Sequence, residues 1–510
     1  LPKSVDRHSE DEGLLLFDAD HDNDLDLYVV SGSYEGEAGE QRYQDRLYRN
    51  DGKGKFTLIP DALPNTLASG SCVRAADMDD DGDLDLFVGS RVIAGAYPLA
   101  PESYLLRNYN GKFVNVTDAI APALKHAGMV TDALWTDFNG DGQIDLLVAG
   151  EFMPITPFVN DGKLLQPLTA SGLESYVGWW NSLAAADFDC DGDTDYLAGN
   201  LGTNNYYQFS DKTPLRVYAK DFDTNGSIDA ILSCYFLSEE GTMEEYPVHF
   251  WDELNGQSPR FRKQFSSYKQ YGRTTMKDLL KPYDQSGMLV LVANYSQSAY
   301  IENKGKGKFA LTALDNNVQV APINGMVISD VNSDGYPDVL LVGNDYGNEV
   351  FSGRLDAFDG GVLINNRGGA FKYASAYASH FKVAGDAKAL IRLRYSDDDD
   401  LIVASRNQDS IKAFVSTNSL HARYFEPNAT DEWAEIHLND GSKQRVEFYY
   451  GSGYLSQSSR SLLVPMQASK MTVYNNVGES RLIDFNQLAS QRTNRVPAYK
   501  TVTQGGKAQK

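Results

Sequence analysis

The chain has 510 residues, with 70 acidic side chains against 46 basic ones and a net charge of −24. That balance excludes phosphate backbones and anionic membranes as main partners, since both need clustered Lys and Arg. No run of 18 apolar residues offers a membrane-spanning helix, and three cysteines, Cys72, Cys190 and Cys234, cannot make a disulfide framework.

From residue 18 onward a nine-residue pattern, D-x-[DN]-x-[DN]-[GN]-x-x-D, occurs six times, each copy running into a short apolar strand. The first copy puts Asp18, Asp20, Asp22 and Asp26 at positions 1, 3, 5 and 9, with Asp24 at position 7. The second has Asp77, Asp79, Asp81 and Asp85 with Asp83, and the third Asp137, Asn139, Asp141 and Asp145 with Gln143. The fourth has Asp187, Asp189, Asp191 and Asp195 with Asp193, and the fifth Asp221, Asp223, Asn225 and Asp229 with Ser227. The sixth has Asp330, Asn332, Asp334 and Asp338 with Tyr336.

The spacing suits a hard cation. Ca²⁺ takes six to eight oxygens at roughly 2.3–2.6 Å, and carboxylates or amides at positions 1, 3 and 5 of a tight loop converge on one point. The carbonyl at position 7 adds a ligand, and the carboxylate at position 9 closes the cage from the strand. Gly82, Gly142, Gly192, Gly226 and Gly335 at position 6, and Asn23 in the first copy, allow the left-handed turn. Acidic turns that merely cap strands would not crowd four carboxylates into nine residues, because these repel one another without a cation. Up to about six Ca²⁺ ions are expected, held more weakly by the third, fifth and sixth copies, where Asn replaces Asp. An EF-hand is rejected: the bidentate Glu at position 12 is missing and a strand follows instead of a helix.

A second signature recurs after most loops. LYRNDGKGKF (47–56), LLRNYNGKF (105–113), FVNDGKL (158–164), YIENKGKGKF (300–309) and LINNRGGAF (363–371) each read as a hairpin around an Asn/Gly turn. First loop residues are spaced by 59, 60, 50, 34 and 109. Such units cannot bury both faces alone, and radial closure solves their edge problem. The expected fold is all-β: a propeller over 1–418, most simply seven-bladed, with residues 385–415 as a blade without metal. An insertion is expected at about 233–290, where Trp251, Leu254, Phe261 and Phe265 suggest short helices.

From residue 419 the periodicity changes. WAEIHL (433–438) and RVEFYY (445–450) flank an Asn439-Asp440-Gly441 turn, with Ala434, Ile436 and Leu438 facing Val446, Phe448 and Tyr450 in a small separate β-domain over 419–490. Residues 491–510 read as a basic solvated tail.

Loops and hairpins together resemble the FG-GAP or VCBS repeats of integrin α-type propellers. GSGYLSQSSRSLLV (451–464) resembles the signature of the ASPIC/UnbV domain, which follows such a propeller in cartilage acidic protein-like and bacterial surface proteins. The resemblance implies a calcium-stabilised, non-enzymatic protein that recognises a protein or glycan at the cell surface. Calcium loops in such number fit an extracellular setting or the bacterial outer membrane, where the ion is millimolar; beginning at Leu1 without a signal sequence, the chain is expected to be a processed product or a piece of something longer.

Candidate ligand residues fall in two clusters outside the cages. Trp179, Trp180 and Asn181 with Asn204, Asn205 and Tyr206 form one, and Asp345, Tyr346, Glu349 and Arg354 lie in a long polar connection. One alternative is a polysaccharide-acting enzyme with a carboxylate pair, for which His249 is the histidine to test. Another is a structural subunit of an outer-membrane protein complex.

Overall fold

In a computed structural model of the chain, residues 8–396, 399–417 and 422–486 are described. Every long element is a strand, and every sheet is antiparallel. Six sheets follow one another as blades, the first strand of each touching the first strand of the next. These first strands are Asp11–Phe17, Ser69–Ala76, Met129–Thr136, Ser182–Ala186, Ile323–Ser329 and Ala387–Arg394.

Each of the first five blades continues with a second strand that begins at the position-9 aspartate: Asp26–Ser31, Asp85–Val92, Asp145–Met153, Asp195–Gly199 and Asp338–Gly343. These strands are apolar on both faces because both faces are covered. Leu86 and Val88 pack toward the first blade, while Phe87 between them packs toward the third, as alternation along a strand requires. The same holds for Leu146 and Val148 against Leu147 and Ala149. Five hydrophobic clusters thus fill the five junctions between successive blades.

The junction between the last and first blades is bridged differently. Residues 455–459 run between them: the Leu14 amide donates to Leu455 O at 3.3 Å, Gln457 exchanges two hydrogen bonds with the Leu16 backbone, and the Ser459 amide donates to Arg392 O at 2.8 Å. Upstream, Tyr450 O accepts from the Ala75 amide at 3.1 Å and Gly453 O from Arg74 at 2.9 Å. The segment resembling the ASPIC/UnbV signature is therefore a strap across the inner edge of the ring. Tyr450, expected on the core face of the terminal hairpin, instead joins the cluster of Leu15, Phe17 and Val73. Its strand ends at Glu447, so the chain leaves the sheet before reaching it.

Seven blades were expected over 1–418, and seven sheets occur among the described residues, but not as a simple succession. The second strand of the fourth blade pairs with Ala299–Asn303, so residues 200–298 form an excursion from that blade. This excursion is longer than the 233–290 expected and contains the whole fifth loop, which stands on a sheet of its own: Leu215–Lys220, Asp229–Leu237, Met243–Pro247 and Leu289–Ala293. Four short helices between 251 and 280 pack Leu254, Phe261, Phe265 and Met276 against it. The short spacing of 34 residues before the fifth loop was the mark of this nesting.

The sixth blade has three strands, Ala387–Arg394, Asp399–Arg406 and Lys412–Thr417. Asp400 is fully buried there and pairs with Arg392 at 3.2 Å, so a guanidinium balances the acid. Residues 397 and 398 of its acidic run, and the proposed tail at 491–510, lie outside the described residues. Beyond the ring, Asp431–Leu438, Lys443–Glu447, Ala468–Asn475 and Ser480–Asp484 make a four-stranded sheet with its own core around Ile436, Met471 and Val473. It has separate sheets but is not separate in space.

Inside the ring Arg74 is paired with Asp132, both essentially inaccessible. Asp132 also accepts the Leu183 amide at 2.8 Å, so one carboxylate ties blades two, three and four. Removing one partner strands a buried charge. Asp132→Ala is expected to lower unfolding stability by about 3–5 kcal/mol, read from urea denaturation.

Candidate metal centre

All six loops close in the same way. The position-6 amide donates to the position-1 carboxylate: Asn23 to Asp18 at 3.0 Å, Gly82 to Asp77 at 2.9 Å, Gly142 to Asp137 at 3.2 Å, Gly192 to Asp187 at 3.1 Å, Gly226 to Asp221 at 2.8 Å and Gly335 to Asp330 at 2.9 Å. The position-7 amide donates to the side-chain oxygen at position 5, as Asp24 does to Asp22, Asp83 to Asp81, Gln143 to Asp141, Asp193 to Asp191, Ser227 to Asn225 and Tyr336 to Asp334. The carbonyl oxygens at position 7 are thereby set in the loop by their own amides.

Sequence reasoning found the left-handed residue at position 6 and missed a second one at position 4. There φ is +60° for His21, +58° for Asp80, +60° for Cys190, +61° for Thr224 and +62° for Ser333. A non-glycine residue there costs about 1–2 kcal/mol, and no residue type repeats at that position to announce it.

The position-9 aspartates anchor the loops to the ring. Asp26, Asp85, Asp195 and Asp338 each accept the position-2 amide, and the same residues with Asp145 accept the amide of the asparagine ending the third strand: Asn50, Asn108, Asn160, Asn303 and Asn365, at 2.7–2.9 Å. Four of those asparagines then reach the preceding blade. Asn108 donates to Ala19 O, Asn160 to Met78 O, Asn303 to Phe138 O and Asn365 to Phe188 O, at 2.7–3.0 Å. In four of the five hairpin signatures the asparagine is thus a clasp between neighbouring loops, legible as a repeated letter but read only as a turn.

The donor set fits a hard cation. Carboxylate oxygens of Asp18, Asp20 and Asp22 lie within 4.8 Å of one another, as do those of Asp77, Asp79 and Asp85, of Asp187, Asp189 and Asp195, and of Asp221, Asp223 and Asp229. Among the described residues, five buried carboxylate oxygens of the loops, on Asp18, Asp20, Asp24, Asp79 and Asp145, have no hydrogen-bond partner, a costly state that a cation relieves. Burial pushes Asp85, Asp145 and Asp195 up to about 8 and Asp187 to about 7, with neighbouring carboxylates adding to it. Where Asn stands at position 3, its amide donates to the position-5 carboxylate, Asn139 to Asp141 and Asn332 to Asp334. Those two loops are partly neutralised from within. In the first two loops Arg49 and Arg107, one residue before the clasp, lie 2.8 and 2.7 Å from Asp20 and Asp79.

The terminal sheet covers this loop face. The Arg445 amide donates to Asp187 at 2.9 Å and Asn476 to Asp77 at 2.7 Å, while Gln444 and Gln467 donate to Gly335 O and Ser333 O at 2.6 and 2.8 Å. The Arg445 guanidinium lies 3.4 Å from Asp137. No sequence signal marked these four residues, since their partners lie more than a hundred positions away.

The ligand candidates lie on the opposite face, Trp179, Trp180 and Asn181 just before the first strand of the fourth blade and the others in connections that follow second strands. Trp180 is fully buried against Tyr295 at 5.8 Å, and Trp179 is half-buried between Phe152 and Tyr207. Both tryptophans pack, as do Asn181, whose amide donates to Gly199 O, and buried Asn205, which holds its own turn. Asn204 is exposed and donates to Val320 O. Tyr206, 43% exposed, meets Phe351 at 5.6 Å, so the two nominated clusters touch. Asp345 pairs with Lys388 at 3.3 Å, Arg354 stacks over Tyr346 at 4.6 Å, and Glu349 turns the connection through its carbonyl. His249 accepts the Leu232 amide through Nε2 and its pKa is lowered by burial, which gives it a packing role.

The fold and its loops define an all-β propeller with cages suited to calcium. Residues 16–88 and 137–198, which hold the first four loops, match the family described as FG-GAP-like repeat. No curated protein matches the chain.

Two outcomes follow. Asp79→Ala removes a ligand that lies outside the strands, and where free calcium exceeds Kd a hundredfold it is expected to lose about 2.7 kcal/mol of calcium-dependent stabilisation; Asn332→Ala loses less, both measured by thermal melts with and without chelator. Raised carboxylate pKa values mean that the calcium-free folded chain holds protons that the unfolded chain releases between about pH 4 and 8, so its stability falls as pH rises through that window. Calcium, which displaces those protons, reverses the slope, as calorimetry at both ends of the window would show.

Proposed function

We propose that the chain is a calcium-stabilised, non-enzymatic binding protein of the cell surface or extracellular space, its terminal sheet of the ASPIC/UnbV kind, which recognises a protein or glycan within a surface assembly such as an outer-membrane complex. One observation carries this reading. The loop face, the one with repeated charged groups, is covered by the terminal sheet through Arg445, Asn476, Gln444 and Gln467, which leaves the opposite face to partners. There Tyr206, Phe250 and Val350 are exposed at 43%, 54% and 97% around Phe351, an aromatic patch of the kind that anchors binding.

Calcium supplies rigidity in this scheme, not chemistry: each ion binds the folded loop and not the unfolded chain, and so stabilises the ring by mass action. The immobilised chain, challenged with surface extract in calcium, is expected to retain a protein or glycan that chelator releases and that Phe250→Ser combined with Val350→Asp no longer captures. Shortened glycans in the supernatant would establish an enzyme instead.

A further inference from the structure

On the open face, where the inner edges of the first three blades meet the nested sheet, lies a cavity of about 720 Å³. Its size falls in the range of small-molecule sites, which run to about 1,000 Å³. Glu12 enters from the first blade, Arg91 and Glu151 from the ends of the second strands of blades two and three, and Tyr97 from the connection after Arg91. The strap contributes Tyr454, and Ile228 and Gln257 of the excursion close the outer side. Six separate stretches of chain thus converge on one space.

The wall holds polar groups with nothing assigned to them. Glu151, only 4% exposed, pairs with Arg91, whose own side chain stays half exposed toward the cavity. Among the described residues the Glu12 carboxylate and the hydroxyls of Tyr97 and Tyr454 make no hydrogen bond, although burial raises the pKa of all three. Tyr34, 77% exposed, offers a ring at the rim.

Charge selects the ligand class. A phosphate or carboxylate meets Glu12 and Glu151; an ammonium meets Arg91. A neutral polyhydroxylated ring is repelled by neither, since its hydroxyls donate to carboxylates and accept from a guanidinium, and its C–H face lies on a tyrosine ring. Resting on the binding-protein reading above, we propose that this cavity is a binding site for a neutral oligosaccharide, held by Glu12, Arg91, Tyr97 and Tyr454.

The test is calorimetric titration of the full chain in millimolar calcium with maltotriose, cellotriose and N,N′,N″-triacetylchitotriose, and with glucosamine and glucose 6-phosphate as charged controls. At least one neutral trisaccharide is expected to bind with Kd below about 1 mM, ahead of both charged sugars. Glu12→Gln and Tyr97→Phe, which keep shape and so preserve the melting temperature, are each expected to weaken it about tenfold. Tighter binding of a charged sugar, or binding untouched by both variants, overturns the proposal. If no neutral trisaccharide binds while surface extract is still captured through the aromatic patch, the cavity is overturned and the binding-protein reading stands; if neither occurs, both fall.

Discussion

Everything in this fold is arranged around carboxylates that cannot tolerate one another's company. Four acids in nine residues repel, and burial raises the cost because the charged form loses its water. The loops answer with fixed backbone amides at positions 6 and 7, repeated with nearly the same lengths in all six copies, and at position 2 in five of them. Those amides account for part of the negative charge, and the five orphaned oxygens mark what remains for a cation.

The position-9 aspartate shows how local chemistry becomes architecture. It was read as a ligand closing a cage from the strand, but it also accepts the amide of the hairpin asparagine, whose side chain grips the previous blade. A loop is thus coupled to its own sheet, to its hairpin and to its neighbour through one residue. A net contribution of about 0.5–1.5 kcal/mol per hydrogen bond, repeated at each junction, makes the rim a chain of linked supports.

Much of this was legible because it is periodic. The six loops, the hairpins and the apolar second strands repeat, and repetition makes local pattern trustworthy. What stayed hidden was long-range. The nesting of the fifth loop inside the fourth blade depends on Tyr196–Ala198 pairing with Ala299–Ile301, a hundred residues on, and no local propensity encodes that. The aromatic pair Trp179 and Trp180 stood out as a binding platform by composition, yet the chain spends both on packing between the third and fourth blades and the nested sheet. Glu12, Arg91, Glu151 and Tyr97 did not stand out at all, because each is unremarkable within its own segment and they meet only in the folded ring.

The strap carries a consequence for biosynthesis. Gln457 bonds to Leu16 across 441 positions, so the first and last blades are tied only after almost the whole chain has emerged. Blades can form from their own hairpins as synthesis proceeds, but the circle must wait, and contacts so distant in sequence form slowly. During that wait the inner edges of the first and sixth blades expose unpaired backbone, the kind of edge to which other chains add. A nascent molecule of this protein is thus an open crescent until residues 455–459 arrive to lock the first and sixth blades together.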